Sequence, residues 1–195
     1  MDAWCFEMIY STILCLGDSL TYPARDPTFL GYPGYLAQDV QEDLGQFCMT
    51  INKGVNGETS AQLLFRAYDV IKSYPDCQTA ILLIGTNDTK HEVDEKLFKS
   101  NLEQIIGICK VFDKKVLIST LPPIKVFGQP TYRQDSDDIR KRYNEVIRNL
   151  AEEKDLAMVE LGNLPAKYQC DGVHFNTEGS RFVAKKMLKG LKRLK

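Results

Sequence analysis

Ser19 stands in Gly17-Asp18-Ser19-Leu20, directly after the apolar run Ile13 to Leu16. A hydroxyl at the end of a buried strand serves either the following turn or a reaction at the mouth of a sheet. A serine is a poor nucleophile until a base takes its proton, and the chain holds two histidines. His91, in TNDTKHEVDE, sits among polar residues and reads as a solvated loop histidine. His174 lies between Val173 and Phe175, three residues after Asp171. On a loop, that spacing lets the carboxylate accept from Nδ1–H and leaves Nε2 facing Ser19, in the chain order Ser, Asp, His. Alone, His174 reads as a partly buried histidine near a helix start; beside Ser19 it reads as a base. The intermediate of acyl transfer also needs donors for its oxyanion. The candidates are the Ser19 amide, Gly57 and the side-chain amide of Asn87, and the last two also read as plain turn residues.

Two further carboxylates, Asp18 and Asp88, flank these groups. With Asp171 and His174 they offer an alternative, a metal-dependent phosphoesterase. Metal hydrolases generally want more imidazole and carboxylate than this set provides, so both are expected to bond loop backbone, with no metal and no cofactor.

These residues need a scaffold that brings distant segments to one edge. Apolar, strand-sized runs at 12–16, 48–53, 79–84, 116–120 and 157–160 alternate with segments of helical periodicity at 33–44, 60–73, 94–112, 137–154 and 176–194. Ser60 is the expected cap of the second of these helices. The run at 79–84 is apolar throughout and is expected to be buried on both faces. Such alternation predicts a parallel sheet covered by helices on both sides. The polar clusters at 17–19, 54–59 and 85–88 each follow a strand and so share one rim, and the cluster at 171–174 returns to it. The longest irregular connection, 121–136, also follows a strand, where ligands of such sheets bind. Its Phe127 and Tyr132 could line a pocket or simply pack the loop.

Gly17-Asp18-Ser19-Leu20, Gly57 in Gly57-Glu58-Thr59, Gly85-Thr86-Asn87-Asp88 and Asp171-Gly172-Val173-His174 resemble, in order, the four sequence blocks of the SGNH, or GDSL, hydrolase family. They span most of the chain, and no G-x-S-x-G elbow competes with them. The resemblance implies a three-layer α/β/α fold with a flavodoxin-like five-stranded parallel sheet. It implies Ser19 as nucleophile, His174 as base, Asp171 as its orienter, and the Ser19 amide, Gly57 and Asn87 as oxyanion hole. It implies activity as an esterase, lipase, thioesterase, lysophospholipase or carbohydrate deacetylase. A second alternative is a ligand-binding module on the same scaffold that has lost turnover.

The bulk composition fits this reading. A length of 195 residues suits one domain, 1–195, and 44% hydrophobic with 26% charged residues is ordinary for a globular protein. With 25 Lys plus Arg against 26 Asp plus Glu, the net charge of −1 argues against a nucleic-acid partner. No apolar run approaches the roughly 20 residues of a membrane-spanning helix, and the start, MDAWCFEMIYST, lacks the features of a signal peptide. The cysteines, Cys5, Cys15, Cys48, Cys77, Cys109 and Cys170, have no paired spacing and are expected to be free thiols in a reducing cytoplasm. The closing helix is amphipathic, with Lys185, Lys186, Lys189 and Lys192 on a solvated face. The expected partner is a small acyl ester, with a lean toward short acyl groups such as acetyl on a carbohydrate, and lysophospholipid as the other candidate.

Overall fold

The computed structural model describes residues 12–125 and 131–194. Phe127, Cys5 and Lys195 lie outside them. Five strands, β1 (Thr12–Gly17), β2 (Met49–Gly54), β3 (Thr79–Leu83), β4 (Lys115–Ser119) and β5 (Ala157–Val159), form one parallel sheet in the order β2-β1-β3-β4-β5. Among the described residues five α-helices cover the sheet: α1 (Gly31–Leu44), α2 (Ser60–Lys72), α3 (Glu95–Val111), α4 (Ser136–Glu153) and α5 (Thr177–Leu191). Helices α1 and α5 pack on each other, while α2, α3 and α4 pack in succession, giving a helical layer on each face of the sheet. This is the flavodoxin-like strand order, whose crevice opens at the carboxyl ends of the strands beside β1 and β3.

The burial pattern explains the strength of the sequence signal. The central strands β1 and β3 bury all or nearly all their residues, whereas the edge strand β2 buries none of its own fully. A strand between two helical layers has no polar face to show, hence its continuous apolar run. Tyr32, Phe98 and Tyr143 fill the space between sheet and helices, the last two stacked with centroids 4.3 Å apart.

One helix start differs from the expectation. The cap of α2 is Thr59, not Ser60: Thr59 and Gln62 form a reciprocal capping box, with Gln62 N–H donating to the Thr59 side chain. Ser60 is diverted by a stronger acceptor. Its N–H and Oγ–H both donate to the Asp88 carboxylate, and Asn101 Nδ2 donates to Ser60 Oγ at 2.9 Å.

Candidate active site

Gly17 ends β1 because nothing larger fits: a Cβ there would lie 2.2 Å from Leu83 O and 2.3 Å from Thr21 Oγ1. The chain then folds back on itself, with Thr21 N–H and Tyr22 N–H both donating to Asp18 O. Asp18 Oδ1 accepts from Leu20 N–H at 2.9 Å. Ser19 lies at the apex of this turn, 8% exposed, and a sheet parallel throughout holds its hydroxyl at the rim.

The second segment arrives from the far end of the chain. Asp171 Oδ1 accepts from the backbone N–H groups of Val173 and His174 at 3.1 and 2.8 Å. Its other oxygen accepts from His174 Nδ1–H at 2.7 Å. That bond places the ring proton on Nδ1 and leaves Nε2 as an acceptor. Ser19 Oγ–H donates to Nε2 across 3.0 Å. Burial pushes the Asp171 carboxyl up, but the His174 N–H, the imidazole and the Val173 N–H outweigh it and hold the group below its ordinary 3.8. The carboxylate thus stays ionised beside the ring.

The histidine loop is fixed by its neighbours. Cys170 N–H donates to His174 O, and Gln169 Nε2 donates to both Val173 O and Pro123 O. Lys125 N–H donates to Gly172 O, and Ile124, Tyr132 and Val173 form a small apolar cluster. Two irregular segments, 121–125 and 169–175, therefore brace one another where no regular element reaches.

Gly57 and Asn87 line the same cleft, a cavity of about 220 Å³ that also reaches Ser19, His174, Lys90 and Tyr132. Gly57 has φ +76° and open space where a Cβ would stand, so its backbone conformation, not crowding, favours glycine. Asn87 is 2% exposed, and its Nδ2 donates to Glu58 O at 3.0 Å. A side-chain amide carries two N–H groups; one locks the 57–58 turn to the β3 loop, and the other is left for the cleft. Beneath that turn Glu58 is paired through both carboxylate oxygens with Arg66, which also donates to Lys53 O.

Asp18 and Asp88 take backbone partners, as expected from the sequence, but they differ in state. Asp88 is anchored by Ser60. Asp18 has no exposed surface, and its Oδ2 has no partner among the described residues. Burial, helped by the charges of Asp88 and Glu58 against the Leu20 N–H and Lys90, raises the Asp18 carboxyl to about 7. His91 is exposed and stands apart from the cleft lining. Among the described residues Cys15, Cys48, Cys77 and Cys109 are buried free thiols and Cys170 is an exposed one. No described helix is long and apolar enough to cross a membrane.

Sequence reasoning gathered Ser19, Gly57, Asn87, Asp171 and His174; the structure brings Ser19, Gly57, Asn87 and His174 to one cleft, with Asp171 bonded to His174 behind it. It did not find Lys90 or Arg25, cations on the cleft wall, because a lone Lys or Arg in a polar loop carries no spacing signal. Tyr132, left open between pocket and loop packing, does both: it is buried and lines the cleft.

The chain resembles known proteins along most of its length. Residues 15–182 match the GDSL-like lipase/acylhydrolase family. The thioesterase 1/protease 1/lysophospholipase L1 of Escherichia coli K12 is 26% identical over 192 residues, covering 94% of this chain and 84% of that protein. Among solved structures, the lipase/acylhydrolase from Enterococcus faecalis superposes with a TM-score of 0.77 at 21% identity, covering 95% of this chain and 97% of the other. The acetylxylan esterase Axe2 from Geobacillus stearothermophilus superposes with a TM-score of 0.75 at 22% identity, covering 94% and 96%. The family match over most of the chain, on a sheet of the family's strand order, leads to one conclusion: the chain belongs to the GDSL-like lipase/acylhydrolase family and is a carboxylic-ester hydrolase.

Proposed function

We propose that Ser19, His174 and Asp171 are the catalytic triad of this hydrolase and that it cleaves short acyl esters through an acyl-enzyme. The observation that carries the reading is the unbroken chain from Asp171 Oδ2 through His174 to Ser19 Oγ, with links of 2.7 and 3.0 Å. Ser19 Oγ attacks the ester carbonyl carbon while its proton passes to His174 Nε2. The carbonyl electron pair moves onto oxygen, where the amides of Ser19 and Gly57 and the Asn87 side chain donate to it. Collapse breaks the bond to the alcohol oxygen, which takes the proton from the imidazolium. Water then attacks the acyl-Ser19 ester, His174 again accepting the proton, and the acid leaves with Ser19 restored. Asp171 stays ionised throughout and steadies the imidazolium.

The modest volume of the cleft, about 220 Å³, supports short acyl groups over long chains. The acetylxylan esterase activity of one structural neighbour favours acetyl esters of carbohydrates as the first substrates to try, with the lysophospholipid of the E. coli relative as the second. Buried thiols such as Cys15 and Cys109 suit a reducing compartment such as the cytoplasm, and we read the chain as one domain.

Replacing Ser19 with Ala is expected to abolish hydrolysis of 4-nitrophenyl acetate and acetylated xylo-oligosaccharide with little change in melting temperature. Substantial turnover by the pure variant contradicts the assignment.

A further inference from the structure

The wall of the cleft carries two cations, Arg25 and Lys90, and none of its described lining residues is a carboxylate. Lys90 makes the closest lysine-to-ring approach among the described residues. It is half-buried, its ammonium lying over the Tyr132 ring 4.2 Å from the centroid, and Tyr132 is itself buried. No carboxylate among the described residues lies within ion-pairing distance of Lys90. Of the two carboxylates nearest in sequence, Asp88 is held by the Ser60 N–H and hydroxyl, and Glu92 is paired at 2.6 Å with Arg133, which also binds Asp135. Asp18 attracts it, but burial raises that carboxyl to about 7, so near neutral pH it carries only part of a charge, and burial likewise holds Lys90 below its ordinary value. Removing an ammonium from water without a full counter-charge is costly. An aromatic face offsets part of that cost, and an incoming anion would offset the rest. Arg25, by contrast, is largely exposed, with a single long contact of 3.8 Å to Asp171 Oδ2. Its fork of donors is left for a planar or tetrahedral anion.

We propose that Lys90, with Arg25, forms a subsite for an anionic group, carboxylate or phosphate, borne by the ester substrate. The inference rests on the ester-hydrolase reading and narrows it: the preferred substrate is an acyl ester with a negative charge close to the scissile bond. Lys90 lies three residues beyond Asn87 on the oxyanion wall, and Arg25 stands beside Asp171 on the wall of the base. An anion on either the acyl or the alcohol half would meet one of the two.

The test compares esters that differ only in charge. 4-Acetoxybenzoate against its methyl ester places the anion on the alcohol. Mono-4-nitrophenyl succinate against its methyl ester places it on the acyl group. 1-Acetylglycerol 3-phosphate against 1-acetylglycerol asks the same of phosphate. The anionic member of at least one pair is expected to show a kcat/KM about tenfold or more above its neutral partner, as one charge-assisted hydrogen bond provides, and added salt should shrink the advantage. Lys90→Gln should bring that ratio close to one and Lys90→Glu should invert it, while Lys90→Arg keeps it. Arg25→Gln should lower it in part. Neutral esters hydrolysed as well as their anionic partners in every pair, or a ratio that survives Lys90→Gln, overturns the subsite alone. Failure to hydrolyse any of the esters overturns the ester-hydrolase reading and the subsite with it.

Discussion

At the scale of single residues, two polar side chains do work that their neighbours in sequence conceal. Asn87 could have bonded its own turn, yet its amide reaches Glu58 O on a different loop. Replacing it with Ala should lower kcat by roughly 10²–10³ if its second N–H serves the oxyanion, with KM little moved. Loss of the Glu58 bond should cost only about 1 kcal/mol of stability. A destabilised variant with near-normal kcat would make Asn87 a loop tie and nothing more. Asp18 shows the opposite economy, a carboxyl kept dry beneath the nucleophile. Its folded value of about 7 exceeds the ordinary 3.8, so the stability it contributes is full below the ordinary value and is lost as pH rises through about 7. Asn keeps the acceptor for Leu20 N–H and never ionises. The melting temperature of Asp18→Asn relative to the wild type should therefore climb between about pH 4 and 8; a flat difference would show that Asp18 ionises normally.

At the scale of elements, what the sequence showed depended on whether the partners were near one another. β1 and β3 were legible because burial on both faces writes an unbroken apolar run. The Asp171–His174 pairing was legible because three residues separate the two groups. The cap of α2 was misplaced by one residue because Thr59 and Ser60 are both hydroxyl residues, and the acceptor that claims Ser60, Asp88, lies 28 positions away. The support of the 57–58 turn was invisible because Glu58 and Arg66 stand eight positions apart, outside the three- and four-residue spacings that mark a pair on a helix. Arg66→Met leaves the Glu58 carboxylate buried and unpaired, and should cost about 3 kcal/mol together with a fall in kcat as Gly57 loses its footing. The double variant Glu58→Leu with Arg66→Met should regain most of the stability, measured by denaturant unfolding. Equal destabilisation in both would assign the loss to packing of the Arg66 stem and not to the stranded charge.

At the scale of the whole molecule, the parallel sheet converts four separated sequence blocks into one rim. β1 delivers Ser19, the loop after β2 delivers Gly57, the loop after β3 delivers Asn87, and the loop before α5 returns Asp171 and His174. The alternation of elements was readable from hydrophobic period, whereas the flavodoxin-like sheet was implied by the family resemblance. The charge of the cleft wall was not, because Lys90 and Arg25 take their meaning from what surrounds them in space. The account as a whole stands on Ser19 as the nucleophile, and covalent trapping tests that claim most directly. A fluorophosphonate should react with the folded protein to about one equivalent, abolish ester hydrolysis in parallel, and be found by peptide mass analysis on Ser19. Ser19→Ala should take up none, and His174→Ala should react far more slowly. Labelling at a different residue, or full hydrolytic activity in protein that does not react, would contradict the mechanism.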